Sequence, residues 1–162
     1  DAEFEKTKPF LDPMAKAVIH AGDLGAGQAA KICNNMILGA TMAATCEAFV
    51  LAEKLGLDPR VFFDISSKAS GQSWSMTSYC PVPGVGPETP ADRGYEGGFA
   101  AALMLKDLKL AMEAAKESGA YTPMGGEAEE LYQRFVDRGG AGKDFSALIK
   151  IIDDSWVVPS DA

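Results

Sequence analysis

Between Ala29 and Cys46 the sequence carries a single charge, Lys31, and two carboxamides, Asn34 and Asn35, in an otherwise alanine-rich apolar run. On a helix Asn35 lies four residues beyond Lys31 and shares its face. A lysine among apolar neighbours is a candidate acid or base, because desolvation favours loss of its proton, and a carboxamide beside it could orient the amine and a bound molecule. A plainer role fits the same residues: a lysine reaching to solvent near a helix start, beside capping asparagines. His20 is the only histidine and stands outside this run, so neither a His–Asp pair for hydride chemistry nor a multi-histidine metal site can be assembled. Any proton carrier is then Lys31. A second lysine, Lys106, falls on the stripe of Phe99, Leu103 and Leu110, whereas Lys109 pairs at i+4 with Glu113 on a solvated face. Lys106 could satisfy a carboxylate across a helix interface or contact a ligand.

The elements that must hold these residues are helical. Residues 26–55 read as one long helix, apolar nearly all round and stopped by Gly56, which makes it the central element of the domain. Before it, the spacing predicts a short helix over 4–15 and a brief extended piece at 17–20. After it come a helix opened by Asp58-Pro59 and running to about Lys68, an irregular surface loop over 81–98, and helices over about 99–117, 123–137 and 144–154. The fold class is all-α, with a vestige of strand at the start. Gly25-Ala26-Gly27-Gln28-Ala29-Ala30 matches the short form of the dinucleotide fingerprint, and Glu47 stands where the ribose-binding acid would be. Yet Glu47 lies in a segment of helical propensity, and the two glycines equally suit a tight turn into the long helix.

Composition narrows the class. The 162 residues are 47% hydrophobic and 23% charged, enough for one sizeable core, and the net charge of -8 argues against nucleic acid or an anionic membrane surface as partner. Cys33, Cys46 and Cys80 are odd in number, and the first two lie in what reads as buried helix, so a reducing cytoplasm is expected.

Several motifs together resemble the β-hydroxyacid dehydrogenase family, most closely its hydroxyisobutyrate branch. The family's signature of two glycines, a lysine and an asparagine is similar to Gly25, Gly27, Lys31 and Asn35. Ser70-Gly71-Gln72-Ser73-Trp74-Ser75 with Tyr79-Cys80-Pro81-Val82-Pro83-Gly84-Val85 resembles a segment of that branch. Gly97-Gly98-Phe99 with Leu103 to Leu108 resembles the family's cofactor-contacting helix, and Lys143-Asp144-Phe145-Ser146 its last helix start.

The resemblance implies an NAD-dependent oxidoreductase, NADP not excluded, that oxidises 3-hydroxyisobutyrate to methylmalonate semialdehyde in valine catabolism. Lys31 would exchange the hydroxyl proton and Asn35 would orient lysine and substrate. Gly27, Trp74 and Phe99 would line the substrate pocket, and Lys106 would reach the cofactor; no metal is implied. It also implies that residues 1–24 are the tail of a nucleotide-binding domain and its linker, and that 25–162 form a C-terminal helical domain for substrate and dimerisation. Such a piece is expected to be inactive alone. Two rivals remain: another branch, such as a tartronate semialdehyde reductase, and a non-catalytic helical assembly module whose long helix is covered by a second copy.

Overall fold

The computed structural model describes residues 2–157, and the described residues are helical and irregular. Helix α1 spans Ala2–Leu11 and runs into a 3-10 turn, Asp12–Met14, with no buried residue in either. Residues 17–20, expected as an extended piece, join no β ladder, since an isolated strand without an adjacent edge has no ladder bonds to make.

Helix α2, Ala26–Lys54, is the axis of the fold. Ala, Met and Leu fill it and neither proline nor a β-branched run interrupts it, which suits 29 continuous helical residues. It starts at Gly25, whose φ of 93° no ordinary side chain favours. It stops in a Schellman motif: Gly56 N–H donates to Glu53 O (2.9 Å) and Leu57 N–H to Ala52 O (2.9 Å). Asp58 then caps α3 (Pro59–Ser66) by accepting from Arg60 N–H at 2.8 Å. A single turn not expected from the sequence, α4 (Trp74–Thr77), is capped by Ser73. Helices α5 (Ala101–Ser118) and α6 (Pro123–Phe135) follow. The expected last helix is two pieces, a 3-10 turn at Phe145–Leu148 and α7 at Ile149–Ile152.

Helices α2, α5 and α6 pack pairwise around one core. Met42, Cys46 and Phe49 from α2 meet Met104 and Leu108 from α5 and Tyr132 and Phe135 from α6, closed below by Phe145 and Leu148. Small residues set the approach. A Cβ on Gly39 would stand 2.9 Å from Leu108 Cδ2, and one on Gly125 would stand 2.9 Å from Met36 Sδ. In length and composition α2 could pass for a membrane span, but its buried residues, from Gly39 onward, pack into this core.

One expectation changes here and another is refined. The long helix is not covered throughout: none of its residues before Gly39 is buried, so Cys33 is exposed while Cys46 is buried. The 81–98 segment lies at the surface with most of its residues exposed, as expected, but it is anchored into the core and includes a 3-10 turn at Pro90–Arg93. Pro81, Val85, Thr89, Pro90, Ala91 and Tyr95 are buried in it, because their apolar area packs under the ends of α2 and α7 while Tyr95 Oη donates to Pro81 O (2.9 Å) and Thr89 Oγ1 to Cys80 O (3.1 Å).

The α2–α5 seam gives a coupling test. Leu108→Ala is expected to cost about 2 to 5 kcal/mol by leaving a cavity. Gly39→Ala crowds the Leu108 side chain in the wild type but has room once Leu108 is cut back. Urea denaturation of both single variants and the double variant therefore shows a double-variant loss smaller than the sum of the single losses.

Candidate functional site

Asp107 sits one turn beyond Met104 on the buried face of α5 and is only 4% exposed, with Leu108 beside it in the core. A carboxylate at such depth is costly unless charges and donors meet it. Helix α2 supplies them. Lys31 Nζ donates to Asp107 Oδ2 at 2.9 Å and Asn35 Nδ2 donates to the same oxygen at 2.6 Å. Lys31 and Asn35, one helical turn apart, are thereby brought together on one acceptor.

The other oxygen, Oδ1, is buried with no hydrogen-bond partner, although Lys106 Nζ stands 3.5 Å away as an ionic neighbour. Burial pushes the Asp107 carboxyl up, but the hydrogen bonds from Lys31 and Asn35 and the charges of Lys31 and Lys106 outweigh it, and the group is held below the usual carboxylate range. With all three ionised, two ammoniums against one carboxylate leave the cluster at net +1, favourable to an anion. Lys31 and Lys106 keep 61% and 60% of their side chains exposed, so both present charge outward. Lys31 is thus not the buried lysine that its apolar run suggested: no residue of α2 before Gly39 is buried among the described residues. Lys106 follows the same logic: Leu103 and Leu110 on its stripe are 47% and 41% exposed, and the stripe is an outer face of α5.

Asn34 extends the cluster into a cleft. Its Nδ2 donates to Asn35 Oδ1 at 3.1 Å, and it lines a space of about 430 Å³ with Ile37, Leu38, Thr41, Ser73 and Trp74. Trp74 is half exposed and stacks on Tyr79, with ring centroids 4.9 Å apart and planes 20° apart. Phe99 is partly buried, edge-on to Phe145 at 5.8 Å. Gly27 lies exposed in the first turn of α2, where a side chain would meet open space. The fingerprint reading of Gly25 to Ala30 lacks its context, since no strand ladder precedes it among the described residues and Glu47 lies within α2. Cys46 and Cys80 carry no nucleophile, as burial pushes both thiols up, Cys80 to about 11.

Sequence reasoning missed Asp107 and Asn34. The signal for Asp107 was there: positions 104, 107, 108 and 111 make an apolar stripe with one carboxylate in it, a pattern that asks for a partner. Asn34 was noted only as a cap.

Comparison with known proteins completes the picture. Residues 25–152 match the family described as NAD-binding of NADP-dependent 3-hydroxyisobutyrate dehydrogenase. A probable 3-hydroxyisobutyrate dehydrogenase of Mycobacterium tuberculosis is 47% identical over 92% of this chain and 50% of its own length. The NAD-dependent L-serine dehydrogenase of Pseudomonas aeruginosa is 46% identical over 94% of this chain and 52% of its own. A solved structure of Mycobacterium tuberculosis 3-hydroxyisobutyrate dehydrogenase with L-serine superposes with a TM-score of 0.89 at 46% identity, over 94% of this chain and 52% of that one. The chain spans about half the length of the curated relatives it matches.

The lowered Asp107 carboxyl has a pH signature. Its stabilisation is full above the unfolded carboxylate value of about 3.9 and is lost as the pH falls through the lower folded-state value. Denaturation midpoints followed below pH 4 are expected to fall more steeply for the wild type than for Asp107→Asn; parallel curves would contradict the assignment.

Proposed function

This chain belongs to the 3-hydroxyisobutyrate dehydrogenase family, and from that premise we propose that it is the helical, substrate-facing part of an enzyme that oxidises 3-hydroxyisobutyrate to methylmalonate semialdehyde with NAD, NADP being also compatible. The observation that carries the reading is the convergence of Lys31 and Asn35 on buried Asp107 beside a cleft walled by Trp74. In this reading residues 1–24 link to a nucleotide-binding domain, and 25–162 form the helical domain.

Each residue then has a task. Asp107, itself held by Asn35, anchors the Lys31 amine beside the cleft, and the exposed flank of Lys31 lets it exchange protons with water between turnovers. Lys31 takes the hydroxyl proton as the alcohol becomes a carbonyl, and returns one in the reverse direction. Asn35 and Asn34 orient the substrate's oxygen atoms, while Trp74 and Phe99 exclude water from its apolar side. A bound nicotinamide dinucleotide supplies the acceptor for the carbon-bound hydrogen and its electron pair. The exposed Lys106 ammonium fits one part of that anionic group, and the uncapped start of α2, with open space at Gly25 and Gly27, can approach substrate or cofactor closely.

L-serine is a second substrate reading, favoured by the relative named as an L-serine dehydrogenase and by the superposable structure with L-serine. It shares the β-hydroxyacid pattern. Comparing kcat/KM of the complete protein for 3-hydroxyisobutyrate and L-serine, and for tartronate semialdehyde in the reverse direction, separates the three. The assembly role adds to catalysis rather than replacing it. Ala44, Ala48, Leu51 and Leu55 are spaced alternately four and three apart along the end of α2 and into its cap, and Leu51 and Leu55 are 58% and 77% exposed. We propose that a second copy covers this stripe in a homodimer or larger homo-oligomer. The three free cysteines fit a cytoplasmic setting.

In the complete protein Lys31→Ala is expected to lower kcat by about 10²- to 10⁴-fold, whereas Lys106→Ala mainly raises KM for the dinucleotide. Steady-state rates with both substrates saturating decide it, and a near wild-type kcat for Lys31→Ala across the pH range removes the acid–base role. Sedimentation at micromolar concentration is expected to show a dimer or larger species, reduced to monomer by Leu51→Glu.

A further inference from the structure

Asp144 is fully buried and meets four donors, none of them a cation. Its Oδ1 accepts from Ser146 N–H at 3.0 Å and Ser146 Oγ at 2.6 Å, which caps the 3-10 turn at Phe145–Leu148. Its Oδ2 turns the other way, accepting from Tyr79 Oη at 2.9 Å and Phe99 N–H at 2.8 Å. The backbone around it is pinned as well: Asp144 N–H donates to Tyr95 O, Phe145 N–H to Phe99 O and Ala101 N–H to Lys143 O. Gly98 leaves the space this requires. At its φ of 73° a Cβ would collide with Asp144 Oδ2 and come within 2.7 Å of Tyr79 Oη.

The bond to Tyr79 reaches the cleft. Tyr79 is partly buried, its ring lies against Phe145 at 5.3 Å on one side, and Trp74 stacks on it at 4.9 Å. Trp74 itself has no hydrogen bond among those of the described side chains and is half exposed, so its orientation rests on its platform. Burial, reinforced by the Asp144 carboxylate, raises the Tyr79 hydroxyl well above the ordinary phenol range, and it remains a donor at any working pH.

We propose that Asp144 is a positioning residue for Trp74 in the wall of the cleft: by accepting the Tyr79 hydroxyl it fixes the ring on which Trp74 stacks. Asp144 touches no substrate. Its effect on turnover rests on the reading of Trp74 as a substrate-lining residue, given above.

The test uses Tyr79→Phe in the complete protein, with Trp156→Phe as background so that Trp74 is the only tryptophan of residues 1–162. This variant keeps the stacking ring and removes only the donor, and Asp144→Asn serves beside it where that variant folds. Acrylamide quenching of Trp74 is expected to rise at least twofold, and KM for the hydroxyacid about five- to tenfold with kcat within about twofold, the size of one ordinary hydrogen bond. Unchanged quenching overturns the proposal. Raised quenching with an unchanged KM upholds the positioning by Asp144 and overturns instead the placement of Trp74 in the substrate site. A fall in kcat as large as the rise in KM, with a lowered denaturation midpoint, marks Asp144 as a fold residue only and also overturns the proposal.

Discussion

A carboxylate on the apolar face of a core helix is the constraint from which the candidate site follows. Asp107 is nearly as buried as the leucine beside it, and a charge in that position is tolerated only where donors come to it. Helix α2 brings Lys31 and Asn35 to a single oxygen, and α5 itself brings Lys106 near the other. The result is a lysine held at a chosen place while most of its surface stays wet. That combination suits a proton carrier, which must be positioned and must also exchange protons with solvent.

Meeting that constraint takes close helix packing. Gly39 lets α2 approach Leu108, the residue next to Asp107, and Gly125 admits Met36, two residues past Asn34. The long helix therefore has two characters. From Gly39 onward it is an internal strut of the core, and before Gly39 it projects with its polar residues facing the cleft and Asp107. Exposure of this end is what a substrate-facing half requires, and it accounts for Cys33 and Lys31 lying in the open despite an apolar sequence around them.

Much of this was legible beforehand. The length of α2, its glycine stop, the Asp58-Pro59 start of α3 and the all-α class follow from periodicity and capping chemistry that are local in the chain. The Lys31–Asn35 pairing follows from spacing alone. What was illegible depends on contacts distant in sequence. Nothing in residues 26–38 says that they stay exposed or only half-buried, and an apolar run looks the same whether a core or a cleft faces it. Asp107 could have been found as the odd residue in an apolar stripe, but its partners lie more than seventy residues away. The 81–98 segment is mostly exposed as read, but its buried anchors were not legible, because prolines and glycines do not signal that Tyr95 would donate to Pro81 O or Thr89 to Cys80 O.

The central claim is that Asp107 gathers Asn35 and Lys31 across the α2–α5 seam, and a double-mutant cycle on Asn35→Ala and Asp107→Asn measures it most directly. A bond from a carboxamide to a buried carboxylate gives a coupling energy of about 1 kcal/mol or more. Urea denaturation near pH 7 is expected to show that coupling, and to show it fade below pH 4 as the carboxylate is protonated. Additivity of the two substitutions within about 0.3 kcal/mol at neutral pH would contradict the account.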